Sequence, residues 1–303
     1  MAAGVGGVGI WATSGLWEED GKLRGDGADA AAELEELGYG AVWLGRANGD
    51  LGLAERLLDT TNRLVVGTSI VNIWMYGPQL VASSYSRVSA RHRDRLLVGL
   101  GVGHAPVVEA TGQRYERPVH KMRQYLDALD AADPALPKEA RALAALGPRV
   151  LQLAGQRSAG ALPYLTPPEH TTQARAILGP GPLLVAEQKV VLDSDPVSAR
   201  ALSRRGVARY FRLQNYASNL TRLGFTDDDL AGNGSDRLVD AVVAWGHIDA
   251  IVQRVREHLD AGADQVAIQV LTDAVNAGTS LPRAEWRALA PALGPLASPR
   301  PAR

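Results

Sequence analysis

The chain of 303 residues contains no cysteine, and its six histidines are scattered. Disulfides, cysteine nucleophiles and cysteine-bound metals are therefore excluded. No H-E-x-x-H or other paired spacing occurs among the histidines, so we predict no metal site. An excess of either charge is also missing, because 32 basic residues face 33 acidic ones. This balance gives no reason to expect nucleic acid or an anionic membrane as a partner.

Long apolar runs are absent as well. Gly, Ser, Asn, Gln or Pro interrupts each candidate for a membrane-spanning helix. The N-terminal "MAAGVGGVGIW" has no positive charge ahead of its apolar part, so we do not expect a secretory signal peptide. We expect a cytoplasmic protein, and the shortage of lysine beside arginine suggests a GC-rich bacterial genome. A hydrophobic content of 46% is sufficient for a large core.

One local pattern occurs at both ends of the chain. Residues 30–45, "AAAELEELGYGAVWLG", predict a helix that stops at Gly38 and a strand after it. Residues 248–271 repeat the order with a stop at Gly262. Glycine just past a helix end accepts the left-handed conformation, and the strands that follow are apolar enough to be covered on both faces. The pattern predicts helices alternating with parallel strands.

Similar units fill the chain between these two. We predict strands at 5–12, 41–45, 64–71, 96–102, 141–146, 160–164, 183–192 and 265–271. We predict helices at 29–37, 50–60, 78–90, 118–131, 149–156, 168–178, 196–209 and 249–261. Eight alternations in about 270 residues are typical of a (β/α)8 TIM barrel. A doubly wound open sheet is the alternative.

No composition break marks a second domain. We therefore predict one TIM-barrel domain over residues 1–295 and a disordered tail over 296–303. Residues 210–245 predict extra helices inserted before the last unit, and the acidic run Asp227–Asp229 is most simply a solvated helix start.

In such a barrel the functional residues lie in loops that follow the strands. The first informative loop follows the third strand, where "SIVNIWMY" holds one polar side chain, Asn72, and no charge. A surface loop rarely has this composition, so the segment could line a ligand site. The alternative is that Trp74 and Met75 plug the top of the barrel.

The second loop follows the fourth strand and reads "GLGVGHAP", ending with His104 and its proline. Its glycines allow the backbone to approach a flat or phosphorylated ligand, although the spacing is not that of a Rossmann motif. His104 could exchange a proton near neutral pH, but a lone histidine is more often structural.

The third loop contains Gly147, Pro148 and Arg149, which open a helix directly after a strand. Free N–H groups at such a helix start can bind an anion, and an ordinary capped helix is the equal alternative. A fourth loop holds Arg46, a weak signal because an isolated arginine is usually solvated.

At these loops the sequence resembles the luciferase-like monooxygenase superfamily, in its branch of coenzyme F420-dependent oxidoreductases. The resemblance extends over residues 5–271 and rests on these motifs taken together: "ELGYGAVWL", "VVGTSIVNIW", "LLVGLGVGHAP", "RYERPVHKMRQYLDALDAA", "ALGPRVLQLAGQRSAG" and "GSDRLVDAVVAWG".

The resemblance implies a site. It implies a non-proline cis peptide at Ser69–Ile70 that supports the cofactor ring, with Asn72 in the same bulge. It places Gly101, Val102, Gly103 and His104 along the cofactor, and Gly147, Pro148 and Arg149 at its phosphate. His104 stands where some F420 enzymes have a catalytic glutamate. Arg46 and Ala47 stand where those enzymes have an acidic residue and a histidine.

The implied function is hydride transfer between coenzyme F420 and a small alcohol, carbonyl or enone, with His104 and Arg46 as the catalytic candidates. Two alternatives stay open, an FMN-dependent monooxygenase and a flavin-binding barrel without chemistry. The resemblance also implies a homodimer, and we expect a small-molecule substrate rather than a nucleic acid or membrane partner.

Overall fold

A computed structural model describes residues 5–92 and 94–297. Its strands are β1 (Val8–Thr13), β2 (Glu18–Glu19), β3 (Lys22–Leu23), β4 (Ala41–Gly45), β5 (Val65–Thr68), β6 (Val71–Asn72), β7 (Leu96–Gly101), β8 (Arg141–Leu143), β9 (Gly160–Ala161), β10 (Leu183–Val191), β11 (Val243–Trp245) and β12 (Gln265–Val270).

Its α-helices are α1 (Gly27–Glu36), α2 (Gly52–Asp59), α3 (Pro78–Ser89), α4 (Ala105–Glu109), α5 (Pro118–Asp130), α6 (Pro148–Arg157), α7 (Pro168–Leu178), α8 (Pro196–Phe211), α9 (Gln214–Arg222), α10 (Asp227–Leu230), α11 (Asp236–Val242), α12 (Ile248–Asp260), α13 (Asp273–Ala277) and α14 (Arg283–Ala297).

Eight parallel strands close into a barrel. They follow one another in the order β1, β4, β5, β7, β8, β9, β10 and β12, and β12 pairs with β1. All eight predicted barrel strands are present, so the TIM-barrel prediction is confirmed and the open sheet is excluded. β6 continues β5 after a break at Ser69–Ile70, and it pairs with β7. β11 pairs with β10 outside the closed ring.

The helix boundaries follow the punctuation in the sequence. Gly38 and Gly262 adopt φ angles of +86° and +105° directly after α1 and α12, as their predicted role as helix stops requires. Proline occupies the first position of α3, α5, α6, α7 and α8. A proline there loses no hydrogen bond, because the first N–H groups of a helix have no partner inside it.

The barrel interior holds two polar positions as well as apolar side chains. The indole Nε1 of Trp43 donates to Oε1 of Gln265 at 2.6 Å, and Nε2 of Gln265 donates to the carbonyl of Val5. These bonds fill the N-terminal end of the barrel, because Gln265 starts β12 and Trp43 is almost fully buried. The opposite end is therefore the one left to build a site.

The predicted inserted helices are α8 to α11, and they form a second apolar cluster around Phe211, Tyr216 and Leu238. One prediction in this segment was wrong. Asp229 is not solvated, because it closes a capping box with Thr226, accepts from Ser235 and pairs with Arg237. Burial against these donors lets one acidic residue fix the start of α10 and the turn into α11.

Helix α14 was not predicted from the sequence. It carries Pro291 and Pro295 inside its span, which disfavour a helix, but it buries Trp286 and Leu293 against the barrel. The first two residues of the predicted disordered tail, Leu296 and Ala297, belong to α14. The rest of that tail lies outside the described residues.

Two searches of the described chain bear on function. Within residues 5–92 and 94–297, no helix is long and apolar enough to cross a membrane. Over the same residues, no group of three or more His, Asp or Glu side chains is arranged to hold a metal ion.

Candidate functional site at the barrel mouth

The C-terminal ends of β5 and β7 meet at the barrel mouth. The cis peptide bond predicted at Ser69–Ile70 is present. The backbone N–H of Ser69 donates to the carbonyl of Leu44 at 2.7 Å, which ties this bulge to β4. The side chain of Ile70 lies on Gly101, since a Cβ added there would be 2.7 Å from Cγ1 of Ile70.

Asn72 fills the next position in the same way. Gly103 has φ +61°, and a Cβ added there would be 2.4 Å from Nδ2 of Asn72. Oδ1 of Asn72 accepts from the N–H of Trp74 at 3.0 Å, which holds the carboxamide beside the glycine. The loop therefore needs glycine at this point for both its conformation and its contact. Ile70, Asn72, Gly101 and Gly103 form one packed unit, which we call the glycine cradle.

The apolar run after Asn72 does not plug the barrel. Ile73 is buried, but Met75 is 46% exposed. Trp74 packs against the ring of Tyr115 at 5.6 Å, with the ammonium of Lys121 above its face at 5.2 Å. The segment is therefore a wall at the rim, covered on its outer side by the loop that precedes α5.

His104 begins α4 directly after the cradle. Its ring lies 5.6 Å from that of Tyr216 and 6.5 Å from that of Tyr210, both in the inserted segment. Its Nδ1 is buried and has no hydrogen-bond partner among the described residues. Burial lowers the pKa of His104, a hydrogen bond with Asn215 opposes this, and the charge of Arg209 lowers the pKa further. His104 is thus neutral at pH 7 and can accept a proton.

Three tyrosines cover the mouth beside His104. The rings of Tyr164, Tyr210 and Tyr216 contact one another at 5.2–6.2 Å. Arg209 donates to the hydroxyl of Tyr210 at 2.9 Å, and Tyr164 donates to Oε1 of Gln269 at 3.0 Å. The two tyrosine hydroxyls are 3.1 Å apart. Because the proton of Tyr164 is engaged by Gln269, Tyr210 is the donor between them.

The tyrosines keep their protons. Burial raises the pKa of Tyr164 and of Tyr216 well above the usual range, and the nearby Tyr210 and Glu187 act in the same direction. Below them, inside the barrel, Nζ of Lys189 is 2.9 Å from Oε1 of Glu187 and 3.7 Å from the centre of the Tyr164 ring. The remaining oxygen of Glu187 accepts from the N–H of Leu165 at 2.9 Å.

A group of hydrogen-bond donors surrounds the start of α6. Gly147 caps this helix without a side-chain bond, and Nη2 of Arg222 lies 3.5 Å from where its Cβ would be. Arg222 donates to Oδ1 of Asn219 at 3.1 Å, while Nδ2 of Asn219 is buried without a partner among the described residues. Pro148 and Arg149 are exposed beside them. Arg222 and Asn219 therefore add to the donors predicted from the sequence.

Arg46 is not joined to this arrangement. Its backbone has φ +58°, its carbonyl accepts from Ser14, and its side chain is exposed one residue beyond β4. Among the described residues, no printed ion pair or hydrogen bond links its guanidinium group to His104. The structure thus brings together the cradle, His104 and the inserted segment, and it leaves Arg46 on the rim.

Residues 8–133 match the family model of luciferase-like monooxygenases. The predicted resemblance to this family is confirmed. The luciferase-like match contains the glycine cradle and His104. Uncharacterized proteins of Mycobacterium tuberculosis and Mycobacterium bovis are 32% identical to the chain over 106 residues. That match covers 34% of this chain and only 31% of each relative.

Solved structures of luciferase-like type extend the likeness over nearly the whole barrel. The coenzyme F420-dependent tetrahydromethanopterin reductase of Methanopyrus kandleri has a TM-score of 0.65 at 16% identity, covering 97% of this chain and 98% of its own. An F420-dependent secondary alcohol dehydrogenase with an F420–acetone adduct has a TM-score of 0.63 at 14% identity, covering 94% and 99%.

The FMN-bound oxygenating constituent of a Pseudomonas putida diketocamphane monooxygenase has a TM-score of 0.62 at 14% identity, covering 97% of this chain and 98% of its own. At these identities the three structures establish the luciferase-like fold alone.

Sequence reasoning missed the polar residues of the inserted segment and of β10. A signal for the latter was available, because "EQK" interrupts the otherwise apolar strand Leu183–Val191. Three polar residues in a strand buried along its whole length require partners inside the protein. A second signal was the spacing of Asn215, Asn219 and Arg222, which places them on one face of a helix.

Proposed function

We propose that the chain is an oxidoreductase that binds a flavin-type cofactor at the barrel mouth and acts on a small alcohol, carbonyl or enone. Coenzyme F420 is the preferred cofactor and FMN the alternative. The observation that carries the proposal is His104, a buried and neutral imidazole whose Nδ1 has no partner among the described residues, directly beside the glycine cradle.

The residues of the mouth suit such a cofactor. Ile70 and the backbone of Gly101, Val102 and Gly103 offer a flat, mostly apolar surface, and the donors at Gly147 suit a phosphate. When bound, the cofactor ring accepts or supplies a hydride at a carbon that faces the substrate. The protein then has to position the substrate and handle one proton.

His104 handles that proton. In alcohol oxidation the C–H hydride leaves for the cofactor, the O–H proton moves to the imidazole, and a carbonyl forms. A lowered pKa favours the neutral base in this direction. The apolar rings of Tyr216 and Tyr210 beside His104 exclude water and accommodate an uncharged substrate. Arg46 remains part of the proposal as a rim charge near the substrate oxygen.

The choice between F420 and FMN rests on resemblance. Two of the structural relatives named above are F420-dependent and one holds FMN. A deazaflavin ring does not activate oxygen as FMN does, so the cofactor decides between a dehydrogenase or reductase and a monooxygenase.

Titration of the purified protein with both cofactors, followed by cofactor fluorescence, tests the proposal. We expect tighter binding of F420 than of FMN, followed by reduction of bound F420 on addition of a suitable secondary alcohol. Tighter FMN binding would favour the monooxygenase. Binding without turnover of any alcohol, carbonyl or enone in a broad panel would leave a flavin-binding barrel without chemistry.

We also propose a homodimer that pairs through barrel helices. Sedimentation at micromolar concentration tests this directly. A dimer is expected, and a monomer would contradict the proposal.

A further inference from the structure

Helix α9 carries three polar side chains on one face. Asn215, Asn219 and Arg222 are spaced by four and three residues, so they follow one another along the helix. With a rise of about 1.5 Å per residue, the backbone positions of the first and last are about 10 Å apart along the axis. We call these three residues the α9 stripe.

The stripe connects two parts of the site. At its first end the side chain of Asn215 interacts with His104, and the next residue, Tyr216, packs against the imidazole. At its other end Nη2 of Arg222 lies 3.5 Å from where the Cβ of Gly147 would be. One helix therefore runs from the proton-handling residue to the start of α6.

Arg222 brings an unbalanced positive charge to that end. It is exposed, and among the described residues it makes no ion pair with an acidic side chain. The start of α6 adds the positive end of a helix of ten residues, with no side-chain cap at Gly147. Both features favour an anionic group at the same place.

Asn219 lies between the two ends and is only 2% exposed. A guanidinium can only donate, so the atom that accepts from Arg222 must be the amide oxygen. The orientation of this amide is thereby fixed, and its buried Nδ2 is left without a partner among the described residues. A buried donor of this kind costs free energy unless a ligand satisfies it.

We infer that the α9 stripe binds the side chain of the flavin-type cofactor, with Asn219 donating to a hydroxyl of its polyol and Arg222 binding its phosphate. The inference rests on the proposed function, and it assigns residues of the inserted segment that the family resemblance did not supply. The inserted helices thus hold the cofactor as well as cover the mouth. The order of groups fits, because a ring beside His104 places a polyol and then a phosphate along the helix.

The test compares cofactors that differ only in their side chains. Affinities for FMN, riboflavin, F420 and its tail-less deazaflavin analogue are measured by fluorescence on the wild-type protein and on Arg222→Ala. Arg212→Ala is the matched control, because Arg212 is an exposed arginine of the same segment without an acidic partner among the described residues. Asn219→Ala is added, with circular dichroism to confirm folding.

We expect Arg222→Ala to weaken FMN and F420 binding about ten- to hundredfold and to leave riboflavin and the tail-less analogue within about twofold. Added salt should weaken phosphate-bearing cofactors in the wild type and in Arg212→Ala, but much less in Arg222→Ala. Asn219→Ala should weaken all four ligands severalfold.

Equal affinities of Arg222→Ala and Arg212→Ala for FMN and F420 would overturn the inference while leaving the proposed function intact. If the wild type binds none of the four ligands, the proposed function fails and the inference fails with it. Should Asn219→Ala not fold, the Arg222→Ala comparison still decides the result.

Discussion

Lys189 and Glu187 form an ion pair inside the barrel, with Nζ and Oε1 2.9 Å apart and both side chains almost completely buried. Both come from β10, and the second oxygen of Glu187 binds the N–H of Leu165 in the loop after β9. The carboxylate thus joins β10 to this loop at a point beyond the pairing of Leu184 with Ala161. The pair supports the floor on which the tyrosines rest.

We predict that Lys189→Met lowers the free energy of unfolding by about 3–5 kcal/mol, because it leaves a buried carboxylate without its cation. The double variant Glu187→Gln/Lys189→Met should recover much of this loss, since the amide oxygen can still accept from Leu165. Urea unfolding monitored by tryptophan fluorescence measures both. A double variant no more stable than Lys189→Met would show that the unpaired charge is not the cause.

A second prediction concerns Gly103 in the cradle. Gly103→Ala places a side chain at φ +61° and 2.4 Å from Nδ2 of Asn72. Gly112→Ala is the control, because Gly112 has φ +78° with nothing within 4 Å of its Cβ position. The control should cost about 1–2 kcal/mol from conformation alone. Gly103→Ala should cost more and should also weaken cofactor binding. Equal losses in thermal unfolding would mean that the contact with Asn72 yields freely.

The barrel fold could be predicted because each unit repeats one local order of helix, glycine stop and buried strand. Particular residues limited what could be said of the site. Nothing local in the sequence shows that Tyr164 and Tyr210 meet, because they come from different elements 46 residues apart. The partner of Lys189 was two residues away, but the face of a wholly buried strand on which each side chain lies cannot be determined from an apolar pattern.

Stability should fall in acid because of His258. This histidine is fully buried between Thr171 and Gln188, and burial lowers its pKa from 6.5 to about 3. Between these two pH values the unfolded state binds the proton more readily, so stability decreases as the pH falls from 6.5 toward 3. His258→Gln should flatten this dependence, whereas His120→Gln, at an exposed position, should not. An unchanged slope in His258→Gln would contradict this account.

His104 should determine how alcohol oxidation depends on pH. Because its folded pKa is lowered, the neutral base persists to more acidic pH than in a free histidine. We predict that kcat/KM for oxidation rises with pH and levels off with a midpoint below 6.5. A midpoint above 6.5, or a profile that is unchanged in His104→Gln, would assign the limb to another group.

The most direct test of the central claim is a paired measurement on His104→Ala, in which cofactor affinity and turnover are determined on the same preparation. If His104 moves the substrate proton beside a bound cofactor, affinity should stay nearly intact while turnover falls by about 10²–10⁴-fold. A large loss of affinity with only a modest loss of turnover would mean that the imidazole packs against the cofactor. Unchanged affinity with unchanged turnover would remove His104 from the site and contradict the account.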